Sequence, residues 1–213
     1  MKDKREFRTA IGLRWWYAIF AAAAIFIPAS LYLDAGMQAW VIQHQTRGAR
    51  AFMQVVSRFG DWPEHVAVGL VLVGLAYWRG SKRWMRIFAA MLLACALAGI
   101  SARVVKVATG RPRPNVQTEA GWNGPRLSAR YHAFPSGHTA ASTAFFATLA
   151  FASWRIGLGF LTIPMLIAFS RMYVAAHHLS DVVGAALIGV GVAYFVAQRF
   201  HEPIENRQSK FEN

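Results

Sequence analysis

"AFPSGHTAAS", Ala133 to Ser142, sets a rigid turn and a titratable imidazole directly in front of an apolar run that extends to Ser153. The run is continuously apolar or small and rich in alanine, without the polar alternation of a barrel strand, so it reads as a helix in a bilayer. Pro135 fixes its own backbone, Ser136 is a good N-cap, and Gly137 lets a ligand approach the amides that open the helix. Free N–H groups and the positive end of the helix dipole make an anion site. Taken alone, the segment fits equally an ordinary helix cap with an interfacial histidine.

Outward from this stretch the same composition recurs. The chain has 213 residues, 55% of them hydrophobic, and a mean hydropathy of +0.30, too apolar for an ordinary soluble globule. A helix needs roughly 20 mostly apolar residues to cross the hydrocarbon core. Six runs qualify or nearly qualify: Trp15–Leu33, Glu64–Trp78, Trp84–Val105, Thr139–Ser153, Ile156–Val174 and Asp181–Gln198. The expected fold is therefore all-α, an integral-membrane bundle of six transmembrane helices, with residues 1–213 as a single transmembrane domain and a polar, frayed cytoplasmic tail at about 199–213. Pro28 and Pro164 are expected to kink their helices. The amino-terminal run is long for a signal core and lacks a clear small-residue cleavage site, so it reads as a retained span.

Charge sets the orientation and narrows the partners. The formal net charge is +13, but the cations fall in short clusters between apolar runs rather than along a polar face, which favours anionic lipid headgroups over nucleic acid. Lys2, Lys4, Arg5, Arg8 and Arg14 precede the first span, "RGSKRWMR" (Arg79–Arg86) carries four cations between the second and third, and Arg155, Arg199, Arg207 and Lys210 fall on the same side. By the positive-inside rule both termini are cytoplasmic, and the long loops after the first and third spans face outward. Cys95, the one cysteine, permits no intramolecular disulfide and no thiolate pair for a metal, and reads as a packing residue.

Three segments at outer span ends carry unusual polar groups. In "KVATGRPRP" six residues separate Lys106 from Arg113; alone this is a basic loop of the kind that contacts headgroups. The second is the opening stretch, with Ser136, Gly137 and His138. In "SRMYVAAHHLSD" an arginine, two histidines and an aspartate fall within eleven residues, Arg171 to Asp181, a costly grouping at membrane depth. Asp181 lies four residues beyond His177, so across a helical turn its carboxylate is expected to face the imidazole, fix the tautomer and leave the other ring nitrogen free to attack. His178 adjoins His177 but would point away on a helix and reads as packing or interfacial; His132 either lines an entrance or sits in a loop; His44 and His65 read as interfacial. The histidines lack a carboxylate or thiolate set at a metal spacing, so no metal and no cofactor is expected.

Together the segments resemble the signature of the type 2 phosphatidic acid phosphatase superfamily: Lys106 and, six residues on, Arg113-Pro114; then Pro135-Ser136-Gly137-His138; then Ser170-Arg171, His177 and Asp181. The resemblance implies a metal-independent phosphatase in which His177 is the nucleophile, Asp181 its orienter and His138 the general acid and then base. It further implies that Lys106, Arg113, Ser136, Gly137 and Arg171 hold the phosphate oxygens. The substrate would be a lipid phosphomonoester or diphosphate, such as undecaprenyl diphosphate, phosphatidylglycerophosphate, phosphatidate or lipid A, at a site opening to the periplasm or exterior from a bacterial inner membrane. Lipid-to-lipid phosphotransfer through the same site, or a silent lipid-binding or transport protein, are the alternatives; intact His138, His177 and Asp181 speak against silence. The sequence carries no signal of oligomeric state.

Overall fold

A computed structural model describes residues 2–116 and 121–208, with side chains over 13–116 and 121–200. Among them are eight α-helices and one 3-10 turn: α1 (Lys2–His44), α2 (Arg47–Arg58), α3 (Trp62–Trp78), α4 (Lys82–Thr109), the turn Ala129–Tyr131, α5 (Gly137–Ala152), α6 (Trp154–Phe160), α7 (Thr162–Tyr173) and α8 (Leu179–Gln208). Every expected span coincides with helix, but the count of six is not what the helix lengths give. Among the described residues, four stretches are long and apolar enough to cross a bilayer: Leu13–His44, Lys82–Thr109, Trp154–Tyr173 and Leu179–Phe200. Helices α3 and α5, of 17 and 16 residues, rise only about 24–26 Å at 1.5 Å per residue, short of a hydrocarbon core of about 30 Å.

Helix α5 is short because it is the centre of the bundle rather than a lipid-facing span. It packs chiefly on α8 and α4, and ten of its residues from Thr139 to Leu149 are buried. Small residues allow this approach. Ala90, Ala94, Ala98 and Ala102 repeat every four residues on α4 and meet Ala140 and Ala144 of α5 and Ala185 of α8. Between apolar helices in a lipid solvent, such stripes replace large hydrophobes because close backbone approach gains dispersion contact. A second cluster, Ile87, Met91 and Cys95 of α4 against Ala141, Phe145 and Leu149 of α5, closes the α4–α5 seam and makes Cys95 a packing group.

Three boundaries differ from expectation, each for a local reason. Helix α1 does not stop at Leu33 but runs on through Asp34 to His44, because the Asp34 carboxylate is satisfied by other elements rather than by leaving the helix. The fifth run breaks at Leu161, the residue between α6 and α7. Pro164 lacks the N–H that would bond Phe160, and the break places it in the first turn of α7, where that donor has no helical partner anyway. Helix α2 was not anticipated; Thr46 caps it, its hydroxyl accepting from the Ala49 amide at 3.2 Å. The backbone of α8 stays helical to Gln208, so the start of the expected tail is not frayed. Residues 209–213, with Lys210, and the side chains of Lys2, Lys4, Arg5, Arg8 and Arg207 lie outside the described residues.

Candidate active site

Backbone hydrogen bonds draw the three sequence segments to one end of the bundle. Helix α4 ends at Gly110, whose φ of 56° closes it in the left-handed region, where glycine avoids a Cβ penalty. The chain then passes Arg111, whose carbonyl accepts from the Ala133 amide at 3.0 Å, and the Ser136 amide donates to the Asp181 carbonyl at 3.0 Å. Ser136 is the N-cap of α5 as expected, its Oγ accepting from the Thr139 amide at 3.4 Å and from Thr139 Oγ1 at 3.0 Å. The amides of Gly137 and His138 open the helix without i−4 partners in it. A β-carbon at Gly137 would stand 3.6 Å from Lys106 Nζ, so this helix end and the lysine face the same space.

His177 does not lie on a helix with Asp181. Helix α7 ends in a Schellman turn, in which the Ala176 amide donates to Arg171 O at 3.1 Å and the Ala175 amide to Met172 O at 2.9 Å. Ala175 fills the left-handed position at φ 57°, where glycine is usual. His177 follows in this turn, buried, and its Nδ1 donates to the Ala133 carbonyl at 2.8 Å. The nearest Asp181 oxygen stands 3.6 Å from the same nitrogen, so the hydrogen bond expected from aspartate comes from the backbone. The outcome for the ring is the same: with the proton on Nδ1, the lone pair is on Nε2. Burial, then the charges of Lys106, Arg171 and Arg113, hold the His177 pKa well below its usual value.

Asp181 is engaged elsewhere. Its Oδ2 accepts from the His178 amide at 2.7 Å, which is the N3 half of a capping box for α8, and its Oδ1 accepts from Arg111 Nη1. Arg111 Nη2 donates to Asp34 Oδ2 at 2.7 Å, Asp34 also accepts the Ser180 amide at 2.8 Å and the Ser180 hydroxyl at 2.6 Å, and Trp122 stacks under the guanidinium at 5.0 Å. Asp34 and Arg111 thus join α1 to the foot of α8, a network that the motif spacing did not reveal. The one available signal was an acid, Asp34, directly after an apolar run.

Three motif cations bear on both histidines. Lys106, Arg113 and Arg171 all act electrostatically on both His138 and His177. The Nε atoms of Arg113 and Arg171 are buried with no hydrogen-bond partner, and burial lowers the Arg113 pKa from its usual value. Arg171 Nη1 donates to Ser57 Oγ at the end of α2. Three cations, two of them arginines with unpaired Nε donors, around a neutral imidazole suit a multiply charged anion such as phosphate. His138, second in α5, gives Nε2 to Asp61 Oδ1 at 2.6 Å, a partner that the sequence reading did not include. Three further histidines make structural hydrogen bonds. His132 is buried, accepting from Arg103 Nη1 at 3.3 Å and donating to Arg126 O at 2.9 Å. His65 is also buried rather than interfacial and bonds the Asp61 carbonyl at 2.9 Å, while His44 bonds Trp40 O at 2.8 Å.

The sequence profile described as the PAP2 superfamily matches residues 84–204, more than half of the chain. A protein named lipid A 1-phosphatase from Rhizobium johnstonii is 25% identical over 217 residues, covering 92% of this chain and 86% of its own. Probable lipid phosphate phosphatase 4 of Arabidopsis thaliana is 32% identical over a shorter overlap, 47% of this chain and 43% of that protein. Two crystal structures share the fold. The transmembrane PAP2 type phosphatidylglycerolphosphate phosphatase of Bacillus subtilis superposes with a TM-score of 0.66 at 19% identity, over 89% of this chain and 94% of that one. Aquifex aeolicus LpxE gives 0.56 at 20% identity, over 78% and 95%.

Proposed function

The chain belongs to the PAP2 superfamily, and from that premise we propose that it is a multi-pass membrane lipid phosphatase that hydrolyses a lipid phosphomonoester or diphosphate through a phosphohistidine. The observation that carries this reading is the state of His177, a buried imidazole with Nδ1 committed to the Ala133 carbonyl among Lys106, Arg171 and Arg113. In the first half-reaction Nε2 of His177 attacks phosphorus, the bond from phosphorus to the lipid oxygen breaks, and the departing oxygen takes a proton from His138. In the second, water gives a proton to His138 while its oxygen attacks phosphorus, the N–P bond breaks, and inorganic phosphate leaves with His177 neutral again. Lys106, Arg113, Arg171, the Ser136 hydroxyl and the Gly137 amide hold the phosphate oxygens; the charge spread over them in the transition state is what such donors stabilise. Asp181, 3.6 Å from Nδ1, offsets the positive charge of the phosphorylated ring. No step calls on a metal.

A cavity of about 530 Å³ runs from Asp61, Gly137 and His138 down to Ala96 and Gly99 of α4, and this reading assigns it to the lipid portion next to the phosphate. In this reading the six helical units α1, α3, α4, α5, α6 with α7, and α8 cross the membrane as one domain, the short α3 and α5 by local thinning of the bilayer, with termini cytoplasmic and the site outward. Among substrates, the relative named lipid A 1-phosphatase makes a lipid A 1-phosphate the first to try.

Purified protein incubated with a panel of lipid phosphates should release inorganic phosphate from at least one, in excess EDTA, and should be inhibited by vanadate, which imitates five-coordinate phosphorus. Activity lost on chelation and restored by Mg²⁺ would sink the reading. Adding an acceptor lipid separates hydrolysis from phosphotransfer. For orientation, a cysteine at Leu127, 84% exposed, should be labelled by an impermeant thiol reagent on intact cells, and one at Ser81 should not. The reverse pattern would turn the site to the cytoplasmic leaflet.

A further inference from the structure

His138 is held by a residue outside the three motif segments. Asp61 occupies the N-cap position of α3 in an extended conformation, φ −69° and ψ 154°, yet its side chain makes no capping hydrogen bond. An aspartate there normally accepts from the helix amides and contributes about 1 kcal/mol. Instead the carboxylate turns across to α5 and meets His138 Nε2 at 2.6 Å. The turn that carries it is fixed. The amides of Gly60 and Asp61 bond Ser57 O and Arg58 O at 3.0 and 2.9 Å, Ser57 Oγ accepts from Arg171, and the Asp61 carbonyl accepts from His65 Nδ1. A β-carbon at Gly60 would stand 2.6 Å from Ile167 Cγ2 and 3.2 Å from His138 Cβ, so the turn is pressed against both α7 and α5.

The charges around the ring show why a carboxylate is needed. Lys106 of α4, Arg113 of the following loop, Arg171 of α7 and His177 of the α7–α8 turn all bear on His138, and Arg103 lines the same cavity. A general acid must carry a second ring proton, and a positive imidazole beside three fixed cations is opposed by all of them. Asp61, with Glu64, Arg58, His65 and Arg171 about it, is the carboxylate in contact with the ring.

We infer that Asp61 is the positioning residue of the general acid: it holds the Nε2 proton of His138, leaves Nδ1 as the atom that trades a proton with the leaving oxygen and then with water, and supplies the counter-charge of the imidazolium. This rests on the phosphohistidine reading above and extends it to a residue between α2 and α3. Its role toward His138 corresponds to that of a triad aspartate toward its histidine, where the carboxylate orients the ring and stabilises its charge without being protonated.

The test uses full-length protein in detergent and compares two lipid phosphates, one with an alkyl alcohol as leaving group and one with a nitrophenol. Asp61→Asn keeps the shape and removes the charge. Its first-step rate on the alkyl substrate should fall by about 10²-fold at nearly unchanged KM, and by less than about 3-fold on the nitrophenyl substrate, whose leaving group needs no proton. The alkaline limb of the alkyl rate profile should move to lower pH, and Asp61→Glu should recover part of the rate. Equal losses on both substrates, or an unshifted profile, would make Asp61 merely structural and overturn the inference while leaving the phosphatase reading intact. Wild-type protein that releases no phosphate from any lipid would overturn both.

Discussion

His177 has 1% of its side chain exposed and gives Nδ1 to a backbone carbonyl, whereas His138 has 24% exposed and gives Nε2 to a carboxylate that is itself 46% exposed. Both rings feel the charges of Lys106, Arg113 and Arg171. The difference follows from the work assigned to each. A nucleophile needs one neutral tautomer and a fixed line of attack, which a dry pocket and a carbonyl provide. An acid that later serves as a base needs to gain and lose charge beside water, which a half-exposed carboxylate permits. Behind His177 the support is also buried, running from Asp181 through Arg111 to Asp34; behind His138 it is a turn at the surface.

The largest stability effect should therefore come from breaking the buried side. Arg111→Met strands Asp34 and Asp181 without their shared cation, and removal of one partner from a buried charge network costs about 3–5 kcal/mol. Thermal unfolding in detergent should show a marked loss for this variant, a partial recovery when Asp34→Asn is added, and little change for Asp61→Asn. Similar losses for Arg111→Met and Asp61→Asn would erase the distinction between the two sides.

Acid should act in the same direction more gradually. The folded-state pKa of His177 is depressed by burial and by Lys106, Arg171 and Arg113, and that of His178 is depressed by burial. The unfolded chain then binds protons near pH 6.5 and below that the folded chain refuses, so stability is complete above that pH and declines as pH falls toward the folded values. Each such proton contributes a slope of up to about 1.4 kcal/mol per pH unit. Melting temperatures at pH 7.5 and 5 should differ less in His177→Gln than in the wild type; an equal difference would mean that His177 is not held neutral.

The smallest effect should come from the turn before His177. Ala175 at φ 57° sits where glycine is unstrained, so Ala175→Gly should stabilise by about 1 kcal/mol at most. Since the Schellman hydrogen bonds remain, KM should not move. A destabilised variant would show that the methyl group is packed more favourably than the backbone is strained.

How far the sequence could be read follows from which interactions are local. Apolar runs located the helix centres, because hydropathy reports burial or lipid over many residues. The ends failed at Asp34, where a distant arginine keeps a charge in the helix, and at Leu161, where a proline three residues on divides a run that looks continuous. Helix α2 was hidden because "RGARAFMQVVSR" reads as a basic loop until its Phe52 and Val55 are placed on one amphipathic turn. Within the site, fixed spacing singled out Lys106, Arg113 and Arg171, which act electrostatically on both histidines, while Asp61, Arg111 and the Ala133 carbonyl were not legible. Their partners are distant in sequence, as in the link from Arg111 to Asp34 across 77 positions, and a main-chain acceptor has no side-chain signature.

The central claim is that His177 bonds to phosphorus and His138 only moves protons. Lipid phosphate labelled in the transferred phosphate, mixed with protein and quenched in alkali, separates the two. His138→Ala should retain label as an acid-labile, base-stable adduct that maps to residue 177, because its second half-reaction lacks a base, and a nitrophenyl leaving group should increase the yield. His177→Ala should retain none and lose turnover by about 10⁴-fold or more. Label on residue 138 in the His177→Ala protein would reverse the roles, and absence of label from every variant of an active enzyme would contradict the covalent route altogether.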